Sequence, residues 1–244
     1  MALKLTILGC SGTYAAAGNA CSGYLVANDD TVLWVDTGPG TLANAQRHVD
    51  LDDVDAIVIS HSHPDHWLDL PVLRNVYRYV LGREAVPLYS TEETIEKAQV
   101  VCDQELAPTF DVTVIDETSS LRIGSLGLTF SRTDHPVETL AMRIEADGQA
   151  LAYSADTGPG WSFDRFGAPI DLALCEATLG PEDDGLAPHV TGQQAGTIAA
   201  NADVGRLVIT HAMPGHDLDR RRAETEAAFG RPVEVAHVGD TFTL

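Results

Sequence analysis

The chain has 244 residues, 44% of them hydrophobic, and its 36 Asp and Glu against 15 Lys and Arg give a formal net charge of −21. That length and apolar content suffice for one sizeable core, while so acidic a surface repels polyanions and argues against gripping a long nucleic acid through a basic stripe. No window reaches the roughly 18 apolar residues of a membrane span, the start MALKLTILGCSG has neither a basic n-region nor a long apolar core, and no stretch has linker composition; residues 1–244 read as one soluble, cytoplasmic domain.

In chain order, the apolar alternation predicts strands over 3–8, 23–27, 31–35 and 56–59, with helical periodicity over 42–49, 67–81 and 91–101. Strands follow at 112–115, 126–131, 139–145, 150–154, 172–175, 206–210 and 233–236, and helices at 191–202 and 218–229. Several strand pairs are hairpin-spaced, as across ADGQ between 139–145 and 150–154. Mixed sheets with helices outside them fit this pattern better than a doubly wound parallel sheet. Cys10, Cys21, Cys102 and Cys175 lack CxxC spacing, and three lie in or beside apolar segments, so they read as buried free thiols.

The pentapeptide DTGPG occurs twice, at 36–40 and 156–160, each time after an apolar run. Each copy looks like a strand ending in an Asp and a tight turn. Two unrelated turns of similar composition would explain the repetition more blandly.

The densest chemistry is SHSHPDHWLDL at 60–70, directly after AIVI and before a helical pattern. Residues two apart in an extended stretch point the same way, so His61 and His63 are placed to hold one cation. Asp65 and His66 turn into the helix start and face a second. Imidazole and carboxylate together suit zinc, iron or manganese. The competing role, Asp65 as a helix N-cap with histidines merely nearby, leaves four such groups at one strand exit unexplained.

HxHxDH at a strand end resembles the motif of the metallo-β-lactamase superfamily of hydrolases, over essentially the whole chain. The resemblance implies an α/β fold, a four-layer αββα sandwich of two similar halves with metals where strand ends from both meet. It further implies ligands supplied by His135 in TDHPVE, Asp156 in the second DTGPG and His211 in VITHAMPGH. One ion would then be held by His61, His63 and His135, and a second by Asp65, His66 and His211, with Asp156 bridging. Asp36 would be a buried group that orients ligands. The implied cofactors are two divalent ions, Zn²⁺ foremost, with Mn²⁺ or Fe²⁺ suited to the same donors. In the family, a hydroxide bridging such ions attacks the substrate.

LCEATLG at 174–180 and HVTGQQAG at 189–196 resemble the branch containing ribonuclease Z and the class II-like bacterial cyclic nucleotide phosphodiesterases. There, Glu176 would orient His189 to protonate a departing alkoxide, although a His beside a helix begun by Thr191 also suits a capping region. Asp65, Glu176 and His189 are accordingly the candidate catalytic residues. Ribonuclease Z carries a Gly/Pro-rich basic arm for transfer RNA, and this chain shows no such insertion.

A small phosphodiester such as a cyclic nucleotide is therefore the expected partner, with no membrane and with a homodimer compatible with the family. The alternatives are a ribonuclease Z-like transfer RNA 3′ endonuclease, a mono-iron oxygenase of the persulfide dioxygenase kind, and a catalytically silent metal-binding relative. Trp67 and Trp161, beside the metal loops, could stack on a base, although aromatic residues near loops more often serve packing. His216 is a candidate substrate contact.

Overall fold

Strands at Lys4–Gly9 (β1), Gly23–Ala27 (β2), Val32–Thr37 (β3), Ala56–Val58 (β4), Val86–Ser90 (β5) and Phe110–Val114 (β6) lie in one sheet. Those at Ser120–Ile123 (β7), Leu126–Arg132 (β8), Leu140–Ala146 (β9), Gln149–Tyr153 (β10), Leu172–Glu176 (β11), Arg206–Thr210 (β12) and Val233–Val235 (β13) form a second. The last strand, Thr241–Thr243 (β14), returns to the first sheet and pairs antiparallel with β1. The computed structural model describes residues 2–244 except 104, 168, 181–182 and 184–187.

The strand orders are β14-β1-β2-β3-β4-β5-β6 and β13-β12-β11-β10-β9-β8-β7, each of seven strands. Both are mixed. The early strands of each sheet run antiparallel, β1 to β3 in one and β7 to β10 in the other. The later pairs, β3 to β6 and β10 to β13, run parallel. Helices Thr41–Ala45 (α1), Leu70–Asn75 (α2) and Glu92–Val101 (α3) accompany the first sheet, and Gly192–Asn201 (α4) and Leu218–Phe229 (α5) the second.

Side chains alternate across each strand, and this alternation builds the layers. In β3, Leu33 and Val35 enter the core between the sheets while Trp34 packs outward against α1, α2 and α3. In β11, Leu172 and Leu174 face the same inter-sheet core, and Ala173 and Cys175 face α4 and α5. The result is the four-layer αββα sandwich. Complete burial of a side chain such as Leu33 or Ile57 is worth about 1.5–3 kcal/mol, so three separate apolar clusters fix the order of the layers. Across the central one, Tyr24 of β2 and Tyr153 of β10 meet edge-on, 5.0 Å between ring centres, an arrangement worth about 0.5–1.5 kcal/mol beyond its area.

Three strands depart from the sequence-based expectation. β5 contains Pro87, which signals a break because it gives the ladder no N–H, yet Val86 and Leu88 bury one face and the strand pairs parallel with β6. β7 and β14 are short and carry polar residues. The helical pattern over 67–81 resolves into α2 and a π-helical segment, Val76–Leu81, closed by Gly82 in a left-handed conformation. Among the described residues no helix is long and apolar enough to cross a membrane. All four cysteines are buried and free.

Candidate metal centre

Strand ends of both sheets converge at one edge of the sandwich. β4 delivers Ser60 and His61, and the chain then turns through a 3₁₀ turn, Pro64–His66, whose proline suits the first helical position. Asp65 lies inside this turn and caps nothing; its Oδ2 accepts from the Thr13 backbone N–H at 2.9 Å. His135 follows β8, Asp156 follows β10 and His211 follows β12 directly. His211 and Asp36 have positive φ, as does Ala155 before Asp156. Such backbone is strained in residues other than glycine and tends to gather at functional sites.

Two groups of potential ligand atoms result, His61, His63, His135 and Asp156 in one, and Asp65, His66 and His211 in the other. In the first, His63 Nδ1 stands 3.2 Å from His61 Nε2 and 3.1 Å from His135 Nε2. In the second, His211 Nε2 is 3.2 Å from both His66 Nε2 and Asp65 Oδ2. Asp156 divides its carboxylate between them. Its Oδ2 lies 3.5 Å from His61 Nε2 and 4.0 Å from His135 Nε2, whereas its Oδ1 lies 3.3 Å from His66 Nε2 and 3.5 Å from His211 Nε2.

The other nitrogen of most of these rings is already engaged. His66 Nδ1 is 2.8 Å from Asp36 Oδ2, His61 Nδ1 is 3.0 Å from Ser60 Oγ, His211 Nδ1 is 2.8 Å from Thr178 Oγ1 and His135 Nδ1 is 3.2 Å from the Pro188 carbonyl. Each contact places the proton on Nδ1 and leaves a lone pair on Nε2, aimed into the cluster. In the neutral form that a metal ligand takes, with its proton facing Asp36, His66 cannot donate to Asp156, and Asp156 Oδ1 is buried without a hydrogen bond despite the nearby rings. An orphaned carboxylate oxygen facing converging lone pairs is costly unless a cation sits there. The donors therefore fit divalent metal ions.

The electrostatics point the same way. Burial above all holds His61, His63 and His135 below the usual histidine range, so these rings present lone pairs. Burial also disfavours a charged His66, but Asp156, Asp65 and Asp36 outweigh it and raise its pKa well above the ordinary value. The pocket stabilises positive charge at that point, and a metal supplies it with the ring neutral. Asp65 and Asp156 are pushed up by burial and pulled further down by surrounding histidines, so both stay ionised.

Asp36 is wholly buried and takes four hydrogen bonds: Ser60 N–H at 2.7 Å, Ser60 O–H at 2.9 Å, His66 at 2.8 Å and Tyr153 O–H at 3.1 Å. Glu176, at the end of β11, accepts from Thr157 N–H at 2.6 Å and Thr178 O–H at 2.6 Å, and holds His189 Nδ1 at 2.9 Å. Burial lowers the His189 pKa, but Glu176 prevails and lifts it to about 9. His189 also approaches Asp156 and His211 closely enough to offer a ligand atom; the proton that Glu176 keeps on it argues for acid chemistry instead.

The residues put forward from the sequence as ligands lie together in this cluster, and the remaining candidates, Trp67, Trp161 and His216, lie elsewhere. Trp67 and Trp161 are core residues, 3% and 1% exposed, with their indoles donating to the Ser62 carbonyl and to Ser131 Oγ, so neither is available to stack on a base. His216 lies outside the metal cluster, 3.2 Å from Arg221 and 3.5 Å from Asp183, and lines a neighbouring cleft. Sequence reasoning missed Ser60, Thr178, Thr13 and Tyr153. A hydroxyl next to His61 and one two residues after Glu176 were the visible signals for the first two; Tyr153 and Thr13 had none.

A family model described as a beta-lactamase superfamily domain matches residues 31–212. The chain is 32% identical over 242 residues to the probable metallo-hydrolase YhfI of Bacillus subtilis, covering 97% of this chain and 98% of that protein. The crystal structure of Bacillus subtilis YhfI, a metallo-beta-lactamase fold protein, superposes with a TM-score of 0.91 at 30% identity and full coverage of both chains. A ribonuclease Z of Kineococcus radiotolerans is 28% identical over 278 residues, covering 92% of this chain and 88% of that enzyme.

Proposed function

The chain belongs to the metallo-β-lactamase superfamily, and from that premise we propose that this metallo-hydrolase is a dinuclear phosphodiesterase acting on a small diester such as a cyclic nucleotide. The observation that carries the dinuclear part is the split Asp156 carboxylate, one oxygen toward His61 and His135 and the other toward His66 and His211. When bound, two divalent cations, Zn²⁺ foremost, supply Lewis acidity and lower the pKa of coordinated water toward neutrality.

The chain's own residues do the rest. Asp36 and Ser60 fix the tautomers of His66 and His61. Thr178 fixes that of His211. Asp65 is held by Thr13 N–H, so the loop after β1 sets one ligand's position. Glu176 orients His189 through Nδ1 and keeps it protonated at neutral pH, leaving the Nε2 proton to pass to a departing oxygen. A leaving alkoxide, as in a cyclic nucleotide, gains most from such an acid. The net charge of −21 supports a small diester over a long polyanion.

The test is hydrolysis of bis(p-nitrophenyl) phosphate and 3′,5′-cyclic AMP by protein of measured metal content, beside a transfer RNA precursor. Cleavage of the small diesters at about two metals per chain, with the precursor intact, is the expected result. Cleavage of the precursor alone would assign the protein to ribonuclease chemistry. One equivalent of iron with oxygen uptake and no diester cleavage would assign it to oxygenase chemistry.

A further inference from the structure

The loop after β1 and the loop after β12 meet at Ser11 and Ala212, which pair as a parallel bridge, with Gly12 N–H donating to the Ala212 carbonyl at 3.0 Å. On one side of this seam stand Asp65, tied to Thr13, and His211, the residue before Ala212. The seam also borders a cleft of about 360 Å³. Its floor includes Cys10, Ile209 and Ala236, and Met213 and Pro214 form part of a wall. Ala212 and Met213 are half-buried and so make a rim that solvent reaches.

Three features set the cleft's chemistry. Its volume falls at the low end of the roughly 300–1,000 Å³ common for small-molecule sites. None of its lining residues is Asp, Glu, Lys or Arg, in a chain in which 21% of residues are charged. Besides Cys10, its ionisable side chains are two imidazoles, His216, which Arg221 engages, and His237, so no carboxylate, ammonium or guanidinium lines the space an uncharged group would fill. Third, the Asn19 side chain offers free donors. Asn19 Oδ1 accepts from the Cys10 backbone N–H at 3.2 Å and from Cys10 Sγ at 3.3 Å. Because the Cys10 amide only donates, the Asn19 atom facing it must be the carbonyl oxygen. Asn19 Nδ2 then carries two N–H groups with no hydrogen-bond partner among the described residues.

We propose that this cleft receives the nucleobase of the substrate, so that the phosphodiesterase acts on nucleotide diesters in preference to diesters without a base. The inference rests on the phosphodiesterase reading above and adds a recognition element to it. A nucleobase is flat, uncharged and largely apolar on its faces, which suits the Met213 and Pro214 wall. Its edge carries ring nitrogens or carbonyl oxygens, which suit the two Asn19 donors. The sugar then crosses the Ala212 rim and leaves the diester on the His211 side. Asn19 selects for an acceptor edge and not for one particular base.

The experiment compares 3′,5′-cyclic AMP with the corresponding 1-deoxyribose cyclic phosphate, which keeps the reacting ring and lacks the base. The parent protein is expected to show a kcat/KM at least about tenfold higher for the nucleotide, the range a well-placed pocket contact gives. Asn19→Asp keeps the acceptor for Cys10 and removes both donors, and Ala16→Phe fills the cleft from the same loop without changing a hydrogen-bonding side chain. Either is expected to collapse that ratio toward one, chiefly through KM for the nucleotide. A parent that cleaves both substrates equally well, or variants that keep the parent ratio while folded and active on the base-free diester, would overturn the pocket and leave the phosphodiesterase reading intact. If the parent cleaves no diester at all, the underlying reading fails and the pocket assignment fails with it.

Discussion

Each half of the sandwich supports its histidines from one buried carboxylate, and the two supports differ in what they serve. In the first half Asp36 binds His66 directly and reaches His61 through the Ser60 hydroxyl. In the second half Glu176 binds His189 directly and reaches His211 through the Thr178 hydroxyl. Both imidazoles held by Asp36 face the metal cluster as potential ligands. Of the pair held by Glu176, His211 belongs to the cluster while His189 keeps a proton. On the proposed function, the same wiring would serve cations in one half and divide its service between a cation and an acid in the other.

Asp156 stands outside both supports, and changing it is expected to have the largest effect. Asp156→Asn removes the charge that both His groups face while nearly preserving shape. Bound metal is expected to fall below one ion per chain, and diester hydrolysis to drop further than the roughly 10–100-fold that changes behind the ligands typically cause. Metal analysis after gel filtration, run beside the rate assay, checks it. A fully metallated, active variant would show that the carboxylate is not shared.

Next in size is the acid. His189→Ala should keep its metals and lose about 10²–10⁴-fold in rate on a substrate with an alkoxide leaving group. On bis(p-nitrophenyl) phosphate the loss should be much smaller, because nitrophenolate departs without a proton. The pH profile sharpens this. Glu176 raises the His189 pKa to about 9, so the acid is fully protonated at pH 7 and is lost as pH rises through that pKa, which bound cations bring lower. An alkaline limb on cyclic AMP that is missing on bis(p-nitrophenyl) phosphate is expected. Equal losses on both substrates would remove His189 from the leaving-group role and make the second half's support purely structural.

The comparison also explains how far the sequence could be read. Metal-directed residues are legible because their chemistry is unusual at strand ends: His61, His63, Asp65 and His66 crowd one exit, and His135, Asp156 and His211 each follow an apolar run. The two DTGPG corners were equally visible, and only the family resemblance separated Asp36 as an orienting group from Asp156 as a ligand; the backbone difference behind those roles was not visible. In the first, Asp36 itself takes the left-handed conformation inside β3; in the second, Ala155 does so and Asp156 follows. Moving that one kink by a residue aims one carboxylate at Ser60 and Tyr153 and the other between two sets of imidazoles. Identical pentapeptides carry no trace of this. For Trp67 and Trp161 the sequence left both stacking and packing open, since proximity to a loop says nothing about which side of the sheet a ring occupies; both rings face the helix layers.

A smaller effect separates the two supports from each other. Asp36→Asn weakens the hold on His66 and, through Ser60, on His61, one potential ligand of each ion. Affinity for both ions is expected to fall by about 10–100-fold. Glu176→Gln touches only His211 in the cluster, so the ion held with Asp65 and His66 should weaken while the other is retained. Chelator competition with two resolved steps reads the difference, and a uniform loss in both variants would show that the halves are not wired separately.

The smallest expected effect lies where the halves touch. Tyr153 ends β10 in the second sheet, yet its hydroxyl donates to Asp36 Oδ2 in the first. Burial, reinforced by Tyr24, Asp36 and Asp156, holds that phenol protonated, so it acts only as a donor to the carboxylate. Tyr153→Phe deletes one donor of the four and leaves the ring in contact with Tyr24. Asp36 keeps Ser60 N–H, Ser60 O–H and His66, so metal affinity should fall only severalfold, below the range for losing the carboxylate. Because Asp36 serves a potential ligand of each ion, the shift should appear in both release steps, while the metal-free protein melts within a few degrees of the parent, as loss of about 1 kcal/mol predicts. A shift confined to one step, or a melting loss with unchanged affinity, would mean that Tyr153 merely packs between the sheets and that the two halves meet at Asp156 alone.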